Sequence, residues 1–380
     1  MTRARPLETA ARHRVATRPT HGRRQNLSLV LQTLWGQGAM SRADLARATG
    51  LTRVTVSDLV GELLELGTVV ELGRADDVRP GKPATLVDIN RGGRQIVGLD
   101  LTAHEVLRAA VLDLDGQILA HVERPTDRSA GMVEVEVDLV LELAREALRL
   151  ASAPVIGIGV GTPGIVDEDG VVTTAPNLGW VDVPLREVLA DATGLPVHVC
   201  NDADAAVHAD YTLGGGGDDE LLVKIGRGVG AGLIVGGRRV QGAHHAAGEL
   251  GHVTVGTDGG ATCRCGKVGC LETWLSAPNL VAALAGRQPL EAPEPLRSAG
   301  ERLAIAVAPV VAALDLAEVV LSGPEHLVSG PLLESVETTL QERLLARPGS
   351  SILVRLAADS RDIVLRGAAA LVLSDQLGVA

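Results

Sequence analysis

The stretch that decides the fold reads Gly248-Glu249-Leu250-Gly251-His252, followed by Cys263-Arg264-Cys265, then Cys270 and Leu271-Glu272. Three of the four cysteines lie within eight positions, eleven residues after a histidine. One imidazole and three thiolates form the ligand set of a closed tetrahedral zinc site. A structural Zn²⁺ is therefore predicted on these residues: His252, Cys263, Cys265 and Cys270. The alternative is a set of reduced thiols on a Gly-rich loop, in which converging thiolates would repel one another.

The composition indicates a globular chain with an uneven charge. A length of 380 residues allows two or three domains, and 46% hydrophobic residues without any Phe require a core of Val, Leu, Ile and Ala. The net charge of −12 argues against a general polyanion binder, yet residues 1–90 carry thirteen Lys and Arg against nine Asp and Glu. A basic end on an acidic body is typical of a nucleic-acid-binding module joined to a sensor or an enzyme.

The cysteine usage and the apolar runs bear on the compartment. The clustered spacing indicates metal ligation in a reducing compartment rather than a disulfide framework, and the isolated Cys200 is expected to be a small buried hydrophobe. No secretory signal is predicted at the arginine-rich start. The longest apolar run, residues 303–314, is too short to span a bilayer and contains Pro309. We expect a cytoplasmic protein with no membrane partner.

Residues 1–24 lack apolar periodicity and are predicted to form a disordered basic tail, with nonspecific phosphate contact left open. A helical pattern begins at Gln25 and ends at two glycines. Ser41 and Asp44 then form a capping box that predicts a helix over 41–49. That helix is expected to bury Leu45 and Ala48.

A tight turn at Gly50 leads into a third helix over 52–66, which Thr52 caps. Helix, Gly-containing turn and helix are the geometry that delivers a recognition helix to the major groove of DNA. The expected base-reading residues lie early in this helix: Arg53, Thr55 and Ser57.

Two extended segments, 68–72 and 84–89, follow that helix. The loop between them is basic, and Arg79 and Lys82 are its expected DNA contacts. This pattern resembles the wing of a winged helix-turn-helix, while the alternative is an unrelated three-helix domain with a surface hairpin. Residues 25–90 are predicted to be the DNA-binding domain.

After residue 91 the pattern changes to that of an α/β fold. Three strand patterns lie at 95–101, 106–112 and 117–122, a long helix at about 133–150, and a buried strand at 155–160. Their order resembles the actin/hexokinase type of ATPase fold, in which two lobes enclose a cleft. We expect lobe one at about 91–203 with the C-terminal helix, and lobe two at about 204–350, within one domain of residues 91–380.

Six motifs in one order carry a family resemblance over residues 25–380. The motifs are Gly159-Val160-Gly161-Thr162-Pro163-Gly164, Pro176-Asn177-Leu178-Gly179-Trp180, Asn201-Asp202-Ala203-Asp204-Ala205-Ala206, Gly226-Arg227-Gly228-Val229-Gly230-Ala231-Gly232, Gly248-Glu249-Leu250-Gly251-His252 and the cysteine cluster. The chain resembles the ROK family of repressors, open reading frames and kinases. Six ordered motifs are far more specific than any single one, since the fourth alone also fits a plain hairpin.

The resemblance implies a sugar site lined by six residues: Asn177, Asn201, Asp202, Glu249, His252 and Glu272. Their chemistry fits a polyhydroxy ligand independently, because amides and carboxylates donate and accept hydrogen bonds in fixed directions. His252 is expected both to ligate zinc and to reach a sugar hydroxyl. The alternatives are a turn-forming role for Asn177 and solvated surface charges for Glu249 and Glu272.

In the family's kinases, the resemblance gives Asp202 the role of the base that takes the proton from the attacking sugar hydroxyl, with ATP and Mg²⁺ as cofactors. The nucleotide side departs from the kinase pattern, however. Asp100-Leu101-Thr102-Ala103-His104 stands where kinases have Asp-x-Gly-Gly-Thr, Arg227 stands where they have Thr, and Pro324 removes a backbone donor. We therefore predict loss of kinase activity.

The sequence thus predicts a sugar-responsive DNA-binding transcriptional regulator, a repressor of carbohydrate-metabolism genes. Its expected partners are operator DNA, a sugar or sugar-phosphate effector, and further copies of itself in a homodimer or homotetramer. Two other classes stay open. One is an ATP-dependent, glucokinase-like sugar kinase with an appended DNA-binding domain, and the other is a ligand-independent DNA-binding scaffold.

Overall fold

The computed structural model describes residues 19–74, 85–102, 105–126, 137–255, 259–286, 293–345 and 351–379. Its contacts form two compact units, one ending at Ile89 and the other running Asn90–Gly378. No helix in the described ranges is long and apolar enough to cross a membrane. Four residues named above lie outside the described residues: Arg79, Lys82, Ala103 and His104.

Three helices and a small antiparallel sheet make up the first unit. The elements are α1 (Pro19–Gln37), β1 (Met40–Ser41), α2 (Arg42–Thr49), α3 (Arg53–Glu65), β2 (Val69–Arg74) and β3 (Thr85–Ile89). The strands pair in the order β1-β3-β2. Gly50 ends α2 in the left-handed region at φ 70° and turns the chain into α3. The predicted helix-turn-helix is therefore present, and it is followed by a strand pair.

Helix α1 begins earlier than the sequence pattern predicted. It starts at Pro19, so the interpretation of 1–24 as a disordered tail is wrong for 19–24. Proline suits the first turn of a helix because its missing N–H would be unpaired there. Arg23 on this turn forms an ion pair with Glu62 on α3. This contact ties the early turn to the unit and neutralises an acidic group of α3.

Helix α2 confirms its predicted cap but not its predicted buried face. The Asp44 N–H donates to the Ser41 hydroxyl at 3.2 Å, and that hydroxyl donates to the Asp44 carboxylate at 2.6 Å. Leu45 is buried as expected, whereas Ala46 is buried in place of the exposed Ala48. Because α2 contacts both α1 and α3, two adjacent positions face neighbours on different sides.

The second unit begins with a lobe built on a five-stranded sheet. Its elements are β4 (Gln95–Asp100), β5 (Val106–Leu112), β6 (Ile118–Pro125), α4 (Val137–Leu150), β7 (Val155–Thr162), β8 (Ile165–Val166), β9 (Val172–Ala175), β10 (Trp180–Val183), α5 (Leu185–Thr193) and β11 (Val197–Asn201). The main sheet has the order β11-β7-β4-β5-β6, and β8 to β10 form a separate antiparallel sheet.

The second lobe contains another five-stranded sheet, ordered β14-β13-β12-β15-β16. Its elements are α6 (Asp202–Ala209), β12 (Glu220–Ile225), β13 (Val229–Val235), β14 (Arg238–Arg239), α7 (Glu272–Leu275), α8 (Ala277–Leu284), α9 (Pro293–Leu314), β15 (Glu318–Ser322), α10 (Glu325–Val328), α11 (Pro331–Arg343) and β16 (Leu353–Leu356). The C-terminal helix α12 (Ile363–Leu377) follows and packs on the sheet of the first lobe. Because β16 pairs with β15, the second lobe extends past the predicted limit near residue 350.

The two large sheets have the same topology. In each, three consecutive strands pair antiparallel, and the fourth and fifth strands add in parallel beside the first. Helices α6 and α12 pack on each other; α6 contacts β7, β12 and β13, and α12 contacts β4 and β7. This is the two-lobed α/β arrangement that the strand order predicted. It places the first turn of α6, with Asp202, where the lobes meet.

Candidate functional site

A cavity of about 380 Å³, called cavity I below, lies between the two lobes of the second unit. Among the residues in its wall are all six predicted for the sugar site: Asn177, Asn201, Asp202, Glu249, His252 and Glu272. Residues 95 positions apart in sequence are thus brought to one cavity by the topology of the two lobes.

The Gly-Glu-Leu-Gly-His motif forms a tight 3₁₀ turn against strand β13. Gly248 has φ 87°, and a Cβ there would lie 1.8 Å from the carbonyl oxygen of Ala231. A Cβ on Gly251 would lie 2.0 Å from the carbonyl oxygen of Val229. Only glycine permits this approach of two backbones. The turn is therefore pressed onto the sheet, and its Glu249 lines the cavity.

His252 lies between the cavity and the cysteines. Its Nδ1 is 3.6 Å from the Sγ of Cys263, while its Nε2 is 4.0 Å from the Oε2 of Glu249. One ring nitrogen therefore faces the thiols and the other faces a carboxylate of cavity I. This geometry suits the two roles that the sequence analysis gave to this one side chain.

The four predicted metal ligands converge. The Nδ1 or Nε2 of His252 and the three Sγ atoms all lie within 4.8 Å of one another, and Cys265 and Cys270 are 3.6 Å apart. Tetrahedral zinc with Zn–S bonds of about 2.3 Å spaces its sulfurs about 3.8 Å apart. None of the cysteines is in a disulfide. The donor set and its spacing thus fit a tetrahedral metal with four protein ligands.

Glu272 connects this cluster to the Gly-rich stretch before it. Its Oε2 accepts the N–H of Val229 at 3.1 Å, and the Sγ of Cys263 lies 3.8 Å from its Oε1. Glu272 begins α7 two residues after Cys270, and Cys265 itself lines cavity I. The cysteine cluster and cavity I therefore share a wall.

The two asparagines of cavity I are held differently. Asn201 caps α6: its Oδ1 accepts the N–H of Ala203 at 2.8 Å, and its Nδ2 donates to the carbonyl of Gly164 at 2.8 Å. This amide is used within the protein and fixes the start of the helix. Asn177 is exposed, and its Oδ1 accepts a hydrogen bond from Arg264 at 3.2 Å.

Lys224, which the sequence analysis missed, lies directly against Asp202. Its Nζ is 2.8 Å from the Oδ2 of Asp202. Burial acts to lower the pKa of Lys224, but the carboxylates of Asp202 and Asp100 outweigh burial and raise that pKa. A cation therefore faces the carboxylate proposed as a base. The sequence feature that could have identified Lys224 is its position as a single charged residue in the otherwise apolar end of β12.

A second cavity, of about 610 Å³ and called cavity II, lies on the side assigned to the nucleotide. Its wall includes Asp100, Arg108 and Pro324. Arg108 bonds to Asp100 at 2.5 Å and to Asp362 at 2.9 Å. The N–H and hydroxyl of Thr102 donate to Asp100 at 2.9 and 2.6 Å. The protein's own groups thus satisfy the polar side chains where a nucleotide would bind.

The residues at the start of α3 that were predicted to contact DNA bases differ in their solvent exposure. Arg53 and Ser57 are exposed, whereas Thr55 is half-buried with its N–H on the Thr52 hydroxyl. Val54 between them is 71% exposed and was not identified from the sequence. An exposed apolar group here suits contact with a thymine methyl group.

Comparisons with known proteins match both units. The ROK family matches residues 96–375, and the family described as bacterial regulatory proteins, crp family, matches residues 39–69. A xylose repressor of Caldicellulosiruptor bescii is 32% identical over 265 residues, which are 68% of this chain and 65% of that protein. A glucokinase of Halalkalibacterium halodurans is 37% identical over 192 residues, 49% of this chain and 58% of that one. The chain thus spans 65% of the length of the Caldicellulosiruptor relative.

Solved structures share the fold. A ROK family transcriptional regulator, a homolog of the E. coli MLC protein, superposes with a TM-score of 0.80 at 24% identity, over 94% of this chain and 98% of that one. A ROK glucokinase from Streptomyces griseus, in complex with glucose and AMPPNP, gives a TM-score of 0.61 at 27% identity, over 73% of this chain and 98% of that one. The regulator covers the helix-turn-helix region as well as the two lobes, and the similarity at 24% identity concerns the fold alone.

Proposed function

The chain belongs to the ROK family, and from that premise we propose that it is a sugar-responsive repressor of carbohydrate-metabolism genes. The observation that carries the proposal is cavity I. It gathers amide, carboxylate and imidazole groups at the meeting point of two lobes, in a chain that also has a helix-turn-helix. The xylose repressors among its relatives support the same function.

Sugar recognition in this proposal rests on carboxylates that remain available to a ligand. Glu249 and Glu272 line cavity I and have no Lys or Arg ion pair among the described residues. Burial raises the pKa of Glu249, with the nearby carboxylates acting in the same direction and His252 opposing them. Sugar hydroxyls donate to such acceptors in fixed directions, which gives orientation as well as affinity.

A structural Zn²⁺ is part of the proposal. His252 and the three clustered cysteines would hold it, leaving no open position for a bound water. The metal would supply rigidity to the loop between Thr254 and Cys270, in which the described residues form two isolated β-bridges. His252 would then present its Nε2 to the ligand in a fixed orientation, because a ligating nitrogen fixes the ring.

Loss of kinase activity is supported by cavity II. Arg108 and Lys224 are committed to Asp100 and Asp202, and Pro324 offers no N–H at the cavity wall. A transferring phosphoryl group needs donors and cations that are free to stabilise its charge. Here those groups compensate the protein's own carboxylates.

The response to sugar is proposed as a population shift. The helix-turn-helix units of a homodimer or homotetramer bind two half-sites of an operator in the cytoplasm. The sugar or sugar phosphate binds one arrangement of the two lobes more tightly than the other. It therefore changes the fraction of protein molecules that are competent to bind DNA.

The decisive experiment recovers fragmented genomic DNA on the purified protein at fixed, near-physiological salt, with and without D-xylose, D-glucose and their phosphates. Salt is fixed because phosphate contacts alone produce binding. Enrichment of a few sites whose occupancy changes with one sugar is the expected result. The absence of any enriched site under every condition would contradict the proposal.

Two variants distinguish the sugar response of cavity I from operator binding by the helix-turn-helix. Glu249→Ala is expected to keep operator binding and to lose the sugar response, because it removes an acceptor of cavity I. Arg53→Ala is expected to weaken operator binding by about 1–3 kcal/mol and to leave sugar binding unchanged. Glu334→Gln, an exposed change on α11, is the control. Release of DNA by sugar in Glu249→Ala at the wild-type sugar concentration would disprove the assignment of cavity I.

A sugar kinase is the second candidate, and the position of Asp202 in cavity I is the observation that favours it. The glucokinases among the relatives point the same way. Its signature is sugar-dependent formation of ADP that disappears in Asp202→Asn. A turnover of this kind would replace the repressor proposal with that of a kinase carrying a DNA-binding unit.

A further inference from the structure

A third cavity, of about 480 Å³ and called cavity III, lies near the far end of α6 from cavity I. Asp202 starts this helix and His208 stands in its last turn, roughly 9 Å further along the axis. The walls of cavity III come from both lobes, with His198 on β11 and Arg239 on β14. Ser374 of α12 completes this side of the wall. No residue of cavity III is used in the proposed sugar site.

His208 is a buried polar side chain at the end of α6. It is 9% exposed, and neither ring nitrogen has a hydrogen-bond partner with normal geometry among the described side chains and backbone groups. Burial, aided by Arg239, lowers the pKa of His208 to about 4, and the backbone of Ala370 acts in the opposite direction. The ring is therefore neutral near pH 7 and offers one donor and one acceptor to whatever occupies the cavity. Buried polar groups are rarely left unpaired.

The cations of cavity III exceed its available anions. Arg238 is exposed and forms no ion pair with any described residue. Asp375 is the one acidic side chain among the described residues that line the cavity, and its Oδ2 lies 3.4 Å from the Nε2 of His198. An uncompensated guanidinium beside an unpaired imidazole is suited to an anion that also carries hydrogen-bonding groups.

We propose that cavity III is a second ligand site, which binds a small metabolite carrying a phosphate or carboxylate group. Arg238 holds the anionic group, and His208 and Ser374 form hydrogen bonds with the polar groups of the rest of the metabolite. The proposal goes beyond the sugar response, because binding at cavity III requires neither a sugar nor DNA.

The position of cavity III gives such a ligand a route to cavity I. Arg239 bonds to Asp204 at 3.1 Å, and Asp204 follows Asp202 by two residues on the first turn of α6. An anion at cavity III competes with Asp204 for Arg239. It also bridges two lobes whose relative arrangement the proposed sugar response depends on. Any such coupling is reciprocal, so a sugar would change the affinity of the anion by the same factor.

The test uses the full-length protein labelled with ¹⁵N-histidine, with inorganic phosphate and sodium acetate as probes at constant ionic strength. The ring signals of His208 are assigned by their loss in His208→Gln. We expect a saturable shift of these signals with one of the two anions, and the stronger anion identifies the group as phosphate or carboxylate. Arg238→Ala is expected to weaken that binding about tenfold.

Two further variants locate the site. Ser374→Phe fills the cavity and is expected to abolish the shift, whereas Arg343→Ala, an exposed arginine of α11, is expected to bind like wild type. The proposal is overturned if neither anion produces a saturable change at His208. It is equally overturned if Arg238→Ala binds as tightly as Arg343→Ala. The second comparison holds even if Ser374→Phe fails to fold.

Discussion

Cavity I and cavity II share Thr102, Lys224 and Gly226 in their walls. Lys224 pairs with Asp202 of cavity I, but the other carboxylates of the two cavities differ in whether they have an ionic partner. In cavity II the buried Asp100 is bonded by Arg108 and by Thr102, and Arg108 also bonds to Asp362. In cavity I, Glu249 and Glu272 have no Lys or Arg ion pair among the described residues.

This difference bears directly on what each cavity can bind. A group that is already paired inside the protein must give up that partner before it can serve a ligand, so it adds little net affinity. A group that is partly buried without an ionic partner gains when a ligand supplies hydrogen bonds. The comparison therefore supports sugar binding in cavity I and no phosphoryl transfer from cavity II.

The largest effect is expected from disrupting the His252 and cysteine cluster that we propose binds Zn²⁺, which borders cavity I through Cys265 and His252. Cys270 is fully buried, and Cys270→Ser removes one of four ligands. Because metal binding contributes to folding, we expect a loss of stability on the order of 5 kcal/mol and the loss of sugar binding. Metal content by mass spectrometry, urea unfolding and calorimetric sugar titration measure the three quantities.

Cys200→Ala is the matched control, since Cys200 is buried at 3% exposure but lies outside the cluster. It is expected to retain the metal and sugar binding with only a modest loss of stability. A Cys270→Ser protein that lacks metal and still binds sugar with wild-type affinity would show that the cluster does not support cavity I.

Cavity II is tested by Arg108→Ala. Asp100 is 1% exposed, so removal of its cation leaves a buried carboxylate without its ionic partner. Breaking such a pair costs about 3 kcal/mol of stability. Sugar affinity should be unchanged, because Arg108 does not line cavity I. Arg343→Ala provides an exposed arginine control. Equal unfolding curves for Arg108→Ala and the control would mean that the pairing in cavity II is not structural.

The third prediction concerns pH and the helix that leads into cavity I. Burial raises the pKa of Asp204 from its usual 3.8 to about 6, although Arg239 acts in the opposite direction. A raised folded-state pKa gives stability that is fully present below the unfolded-state pKa of 3.8 and is lost as the pH rises through about 6.

Asp204→Asn removes this dependence. The variant should therefore gain about 2 kcal/mol of stability relative to wild type between pH 4 and pH 7, whatever constant offset the lost ion pair produces. Urea unfolding at both pH values measures the difference, and Glu334→Gln should show none. A stability difference that does not change with pH would mean that Asp204 titrates alike in the folded and unfolded chain.

Local patterns allowed much of this architecture to be predicted from sequence. The capping box at Ser41 is confirmed because it depends on residues three positions apart. The convergence of the cysteines with His252 was predictable for a similar reason, since a short Gly-rich loop brings them together. The order of strands and helices was readable because strand and helix patterns have different periods.

Contacts between segments that are distant in the sequence could not be predicted from it. Arg108 forms a hydrogen bond with Asp362, which is 254 residues away in the sequence, and the residues around neither one indicate this pair. Asn201 lines cavity I, but the donation of its Nδ2 to the carbonyl of Gly164, 37 residues earlier, could not be predicted from either segment. The buried position of Ala46 depends on two helices packing against α2 at once. Such features follow from tertiary packing, which a single sequence does not display.

The smallest effect is expected from Arg264→Ala, which changes only the rim of cavity I. Arg264 is exposed and bonds to Asn177 at 3.2 Å, so the contact joins the metal loop to the first lobe. An exposed contact contributes at most about 0.5 kcal/mol to stability, so the unfolding curve should barely move. Sugar affinity should fall about threefold, because Asn177 loses the partner that orients its amide. Lys267→Ala, on the same loop but outside cavity I, controls for the loss of a positive charge. If both variants weaken sugar binding equally, charge rather than the position of Asn177 governs the rim, and the contrast between the two cavities would rest on Glu249 and Glu272 alone.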